Sequence, residues 1–412
     1  MKQGAPSVAK MLSFEQALSE VEARLTAARF VPPTEILPLR QARGRILAED
    51  VDADRDYPPF NRATRDGFAV RSQDVELANS VLTLDGEVRA GEHFDEEVLA
   101  GHCVAIMTGA PLPTGTDAVV MIEYTHAEGY KIEIERPVTS FENVVHKGSE
   151  AQAGKQILAR GRRLRAGEIG LLASVGKVHV EVYVQPRVAI LPTGDEVVTI
   201  DRKPEWYQVR NSNSAMLAAE VASAGGIPWE IGIGPDEKEA LRHLIEQGLK
   251  ADLLLLSGGV SMGKYDFVEE VLKDLGAEFY FQSVAIRPGK PLVFGRVRGK
   301  FFLGLPGNPV SSFVTCNLFA RPTIGVLMGS TFERPGLLRA RLGKSIRHKT
   351  GLTTFIPARV ETRDAEPVVS LVGWQGSGDL VGVAEANCFL VVHPDQPAPE
   401  AGEWVDVLPM LT

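Results

Sequence analysis

Four short segments, each directly after an apolar run, hold most of the side chains here that could do chemistry: Pro192–Glu196 (PTGDE), Ser257–Gly263 (SGGVSMG), Arg287–Lys290 (RPGK) and Pro306–Ser312 (PGNPVSS). In the second, Ser257, Gly258, Gly259 and Ser261 let backbone N–H groups approach a phosphate with no Cβ in the way. In the fourth, Pro306 and Asn308 lead into Pro309 at a first helical position, which aims a helix N-terminus and its unpaired donors at an anion. Taken singly, each is also what an ordinary strand-to-helix turn provides. The Walker pattern GxxxxGK[ST] is absent and no GxGxxG opens the first βα unit, which disfavours Walker-type NTPases and dinucleotide-binding enzymes. With no HExxH, no GxSxG and no histidine cluster, a zinc or serine hydrolase has no support.

Carboxylates supply the second ingredient. Asp66, Glu196, Asp236 and Asp266 lie in loops or at element ends, and Mg²⁺ is held by one or two carboxylates plus water and substrate phosphate. Asp236 and Asp266 also suit helix N-caps, worth about 1 kcal/mol each. Asp66, beside Gly67, and Glu196 have no such structural role and weigh more heavily. The loop Thr108–Gly115 (TGAPLPTG) is too rich in Gly and Pro to continue a strand. It is either a structural loop or an anion contact, and local chemistry leaves both open.

Charge narrows the ligand. The chain has 412 residues and a formal net charge of −9, which argues against nonspecific binding to nucleic acid or an anionic membrane. Yet Phe279 to Phe332 contains no Asp or Glu, while Arg287, Lys290, Arg296, Arg298, Lys300 and Arg321 all fall within it. That tract is either reserved for an anionic small molecule or a set of basic residues on a solvated hairpin. Three widely spaced cysteines, Cys103, Cys316 and Cys388, form neither a disulfide framework nor a metal site and read as core residues. No stretch of 18 uninterrupted apolar residues and no secretory leader pattern occurs, so the expected location is the cytoplasm.

The elements that must position these residues follow from periodicity. Ser13-Phe-Glu-Gln fits a capping box, and Phe14, Ala17, Leu18, Val21 and Leu25 recur at helical spacing. From Phe68 to about Ile134 short strands alternate with Gly, Pro and Asp turns, which predicts a β-rich domain. A helix is expected from Ala166 to Val175, closed by Gly176. From Pro186 all-apolar strands (Val188–Leu191, Ile231–Ile233, Leu253–Leu256, Phe301–Leu303) alternate with helices, the signature of a parallel sheet covered on both faces. Beyond Gly329 strands return, and a small C-terminal β-barrel or sandwich is expected. The division this gives is a mixed domain from 1–50 plus 146–184, an inserted β-rich domain at 51–145, an α/β domain at 185–328 and a β-barrel at 329–412.

Six segments together resemble the molybdopterin molybdenumtransferase family, the bacterial relatives of the C-terminal domain of gephyrin: FNRATRDGFAVR (60–71), MTGAPLPTGTDAVV (107–120), LPTGDEV (191–197), SGGVSMGKYD (257–266), AIRPGKP (285–291) and GLPGNPVS (304–311). The resemblance implies a homodimer of four-domain subunits, with an α/β three-layer domain similar to molybdopterin adenylyltransferase, an inserted β-rich domain and a C-terminal β-barrel. It places the active site between the α/β domain of one subunit and the β-rich domain of the other. The implied reaction takes adenylylated molybdopterin and molybdate, inserts molybdenum, and releases AMP with help from Mg²⁺. Carried onto this chain, Asp66, Thr108, Glu196, Asp266 and Lys290 become catalytic, and Asp66, Glu196, Asp236 and Asp266 bind the metal or its waters. Ser257, Gly258, Gly259, Ser261, Arg287, Pro306, Asn308 and Ser377 become substrate contacts. The implied partners are a second copy, molybdopterin adenylyltransferase and apo-molybdoenzymes, with no nucleic acid and no membrane.

Departures from the family pattern are informative. Arg287 stands where Lys is frequent, Ala63 where Ser is usual, and Pro357 where an Arg is common, with Arg359 the candidate to take over that duty. A non-catalytic molybdopterin-binding or scaffolding protein is the alternative, and Asp66, Glu196 and Lys290 speak against it. A nucleotidyltransferase is a third reading, disfavoured by the β-rich and C-terminal domains.

Overall fold

The computed structural model describes residues 11–259, 267–347, 351–396 and 398–410. Two compact units form, one from residues up to Ile36 with Gly44–Ala48 and everything from Glu181 onward, the other from Leu37–Arg43 with Glu49–Val180.

In the larger unit a six-stranded sheet runs in the order Ile227–Glu230, Arg187–Pro192, Leu253–Ser257, Lys300–Leu305, Val293–Val297, Glu278–Phe281. Its first four strands are parallel, and Val293–Val297 runs antiparallel to both of its neighbours, so the sheet is mixed rather than purely parallel. The reason is local. Arg298 and Gly299 have φ of 49° and 82°, the double positive φ of a tight hairpin, which sends the chain straight back instead of through a crossover helix. The strand expected at 231–233 lies at Ile227–Glu230, because Gly225 ends the preceding helix in the left-handed region and pairing starts two residues later.

Alternation along these strands explains the three layers. Val188, Ile190, Leu253, Leu255, Leu303 and Leu305 share one core with Phe14, Leu18 and Val21 of the N-terminal helix, Leu217 and Val221 of helix Ser212–Ala224, and Val310, Val314 and Phe319. Ala189, Leu191, Leu254, Leu256 and Phe302 face the other way, onto helices Lys238–Gly248 and Phe267–Asp274. The Ser13 capping box is formed as expected. The helical run Pro309–Leu327 is long and apolar enough to cross a membrane by composition, but 72% of its hydrophobic window is buried in the core.

Strands Leu338–Leu342, Thr353–Arg363, Glu366–Leu371, Cys388–Val392 and Trp404–Pro409 close into a five-stranded barrel, with Ile286–Arg287 added beside Thr353. In the smaller unit a six-stranded sheet runs Ala118–Met121, Gly67–Val70, His102–Ile106, Ser80–Val88, Lys131–Ile134, Thr125–Glu128. All three cysteines are buried, and burial pushes the Cys103 thiol up to about 12 and the Cys388 thiol up to about 11, so they are core residues.

Candidate functional site

Register in the large unit brings three loops level. Pro192 pairs with Ser257, and Ser257 with Leu305, so the residues that follow, Thr193, Gly258 and Pro306, emerge side by side at the carboxyl ends of parallel strands. That edge is where open α/β sheets bind ligands. A cavity of about 840 Å³ opens there, lined by those residues and by Glu196, Arg210, Asn213 and Asp236. Helices Ser212–Ala224 and Pro309–Thr315 both begin at its wall, where the helix dipole favours an anion, although in the second Pro309 has no N–H and the Val310 N–H is taken by the Ser377 carbonyl.

Buried polar bonds fix the floor. Asn213 Nδ2 donates to Ser257 Oγ and to the Gly307 carbonyl, each at 2.8 Å. Because that carbonyl can only accept, the amide orientation is determined. Ser312 donates to the Pro306 carbonyl, which leaves Ser257 to donate to Ser312 Oγ at 3.2 Å. The Ser257 hydroxyl is therefore committed inside the floor at 2% exposure, and the residue shapes the loop. Gly258 and Gly259 have φ of 90° and 61°, and a Cβ at Gly259 would lie 2.7 Å from Thr193 Oγ1, so this turn is confined to glycine by its own packing. Asn308 Nδ2 donates to Ser377 Oγ at 2.9 Å, and the Val310 N–H donates to the Ser377 carbonyl, which seats the 373–379 loop on this helix start. Ser261 and Asp266 lie outside the described residues.

Acidic groups also line the cavity. Gly194, at φ 132°, lets the Glu196 carboxylate fold back to where a Cβ would stand only 2.6 Å away. Asp236 is not an N-cap: helix Lys238–Gly248 starts after Glu237, and the Asp236 N–H donates to Asp195 Oδ1 at 3.0 Å. Burial, then the charges of Asp195 and Glu196, push the Asp236 carboxyl above its ordinary range. Like-charge crowding of this kind is relieved by a bound cation. Among the described residues no three acidic, histidine or cysteine side chains could hold a metal by themselves. That donor set fits Mg²⁺, which completes its shell with water and ligand phosphate, and does not fit an all-protein cage.

In the smaller unit Gly67 pairs with Ile106, so the residues flanking those strand ends, Asp66 and Thr108, meet. The Thr108 N–H donates to Asp66 Oδ1 at 2.6 Å and holds that exposed carboxylate below its ordinary range. Gly67 is obligatory, since a Cβ there would fall 1.8 Å from the Val120 carbonyl oxygen.

Comparison with known proteins agrees with this arrangement. Residues 12–176 match the MoeA N-terminal region (domain I and II), 189–325 the probable molybdopterin binding domain, and 339–410 the MoeA C-terminal region (domain IV). A molybdopterin molybdenumtransferase of Staphylococcus aureus (strain COL) is 33% identical over 384 residues, covering 91% of each chain. The chain belongs to the molybdopterin molybdenumtransferase family. A Staphylococcus epidermidis relative of the same name (strain ATCC 12228 / FDA PCI 1200) is 33% identical over 90% of each chain. The crystal structure of a molybdopterin biosynthesis MoeA protein from Pyrococcus horikoshii OT3 superposes with a TM-score of 0.81 at 30% identity, covering 97% of this chain and all of that one. The protein is thus an enzyme of molybdenum cofactor biosynthesis.

For a transferase of this family, the cationic tract proves divided. Arg298 pairs with Glu246 at 2.9 Å, Lys300 with Asp252 at 3.0 Å and Arg321 with Glu220 at 3.7 Å, while Arg296 lies 5.4 Å over Phe301. Only Arg287 and Lys290 of the six are exposed and make no acidic or ring contact among the described residues, and they stand just before Pro291 of the cavity wall. Arg359 is not brought to the cavity. Its guanidinium donates to Glu361 at 3.0 Å and to the Glu385 carbonyl at 3.2 Å. Sequence reasoning missed Asn213 and Arg210, both on the cavity wall. The run Arg210-Asn-Ser-Asn before an apolar helix was the available signal, but a polar residue in a first turn reads as ordinary capping.

Proposed function

We propose that this cavity binds adenylylated molybdopterin by its phosphates, and that the enzyme inserts molybdenum from molybdate while releasing AMP. The observation that carries this reading is the meeting, in one cavity, of two helix starts, a glycine turn and the Glu196–Asp236 rim. Helix donors and the exposed Arg287 and Lys290 attract the phosphoanhydride and a second oxyanion; each charge-assisted hydrogen bond is worth about 1.5–3 kcal/mol. Glu196 and Asp236 would hold Mg²⁺, which when bound supplies charge neutralisation on the leaving phosphate. Asp66, kept ionised by the Thr108 N–H, adds a further carboxylate for cation or water. The chain acts as a homodimer, with Asp66 and Thr108 of the partner subunit completing each cavity.

The test is single-turnover AMP release from adenylylated molybdopterin with molybdate and Mg²⁺. Asp66→Ala and Glu196→Ala are expected to slow release by about 100-fold or more with substrate affinity changed by less than about tenfold. Undiminished release in both variants, or tight binding by the unaltered protein without any release, overturns the proposal.

A further inference from the structure

The cavity that suits phosphate has no aromatic wall: among the described residues none of its lining side chains is Phe, Tyr or Trp. A pterin or nucleotide ligand nevertheless carries a planar ring that gains most from stacking. The nearest aromatic pair in sequence is Trp206–Tyr207. Trp206 is 93% exposed and Tyr207 59%, and their rings meet edge to face, 5.5 Å apart at 82°. A Trp so completely in water is unusual for a group of that size.

The display is built rather than loose. Gln208 N–H donates to the Glu205 carbonyl at 3.0 Å and Glu205 N–H to the Gln208 side chain at 3.1 Å, closing a turn with the two aromatics at its tip. Arg210 Nε braces the loop on the Arg202 carbonyl at 3.1 Å. At the base, Val197–Val198 pairs with Val209–Arg210, and Val197, Val209 and Arg210 line the cavity. The aromatic tip therefore stands two residues from the cavity wall, on a loop tied at both ends to that wall.

We infer that Trp206, supported by Tyr207, is the stacking surface for the planar bicyclic heteroaromatic ring of the ligand whose phosphate occupies the cavity. This deepens the proposed function and rests on its reading of the cavity as a phosphate site. Two rings have the required chemistry, the pterin and the adenine.

Binding of AMP, neopterin monophosphate and ribose 5-phosphate to the full-length protein and to Trp206→Ala and Trp206→Phe tests it, with iodide quenching of Trp emission as a second readout. The expected result is that W206A loses about tenfold or more in affinity for a ring-bearing probe, with W206F keeping most of it and ribose 5-phosphate unaffected. The ring-bearing probe that also shields Trp206 from iodide identifies which ring stacks. Equal loss for all three probes, or unchanged affinity with no shielding, overturns the inference. So does a W206A variant that binds normally but changes oligomeric state, which would assign the pair to a contact between copies. Should the unaltered protein bind none of the probes, the phosphate reading of the cavity falls and takes the inference with it; binding of all three with no ring effect removes the inference alone.

Discussion

At the residue scale, the two sites differ in how they treat a carboxylate. Asp66 is lowered by the Thr108 N–H, so its contribution to stability is present above the unfolded carboxylate pKa and is lost as pH falls through the folded value. Asp236 has the opposite sign. Burial and the charges of Asp195 and Glu196 raise it, so folding loses stability as pH rises from the unfolded pKa through the folded one, and the cost persists at neutral pH. Asp236→Asn should therefore raise the melting temperature at pH 7 without Mg²⁺, with the gain vanishing below about pH 4. Adding Mg²⁺ should stabilise the unaltered protein more than the variant in differential scanning fluorimetry. An equal shift in both would detach Asp236 from the cation. The same scale shows what residue type alone cannot supply: the Ser257 hydroxyl in the cavity floor is bonded to both Asn213 and Ser312.

At the element scale, strand register does the assembling. Asp66 and Thr108 are 42 positions apart, and they meet because Gly67 pairs with Ile106. Gly67→Ala would drive a Cβ into the Val120 carbonyl and part the strand from its neighbour. The expected cost is about 1–3 kcal/mol or more, measured by urea denaturation, together with loss of the depressed Asp66 pKa followed by NMR titration. A variant as stable as the parent would show that the sheet edge can shift to accept the methyl group. Short all-apolar runs made the strands around 188–191, 253–256 and 301–303 legible, since each is too short for a helix, whereas the one expected at 231–233 lies at Ile227–Glu230. The hairpin at Arg298–Gly299 was legible only as one of two readings of the cationic tract, because Arg is an uncommon residue at a positive-φ position.

At the scale of the whole molecule, Asp66 with Thr108 belongs to one compact unit and the Glu196 cavity to the other. If sites are completed between subunits, mixing Asp66→Ala with Glu196→Ala under conditions of subunit exchange yields mixed dimers with one intact site. AMP release should then recover to about a quarter of the unaltered level from two inactive parents. No recovery, with exchange verified by mass, would place both residues in the same chain's site. Much of this protein could be read directly from the sequence: the covered α/β sheet, a C-terminal β-barrel or sandwich, the glycine turn, the helix starting at Pro309 and the carboxylates near them all follow from periodicity and local conformational preference. What only the tertiary structure decided was which polar atoms remain available. Ion pairs with Glu246, Asp252 and Glu220 consume three of the tract's cations, and Arg359 turns to Glu361 and Glu385, whereas Asn213, unremarkable in sequence, ties the glycine turn to the Gly307 loop. Hydrogen bonds and charge pairs between distant segments depend on distances of a few ångström that no local pattern encodes, so their allocation appears only when the chain has folded.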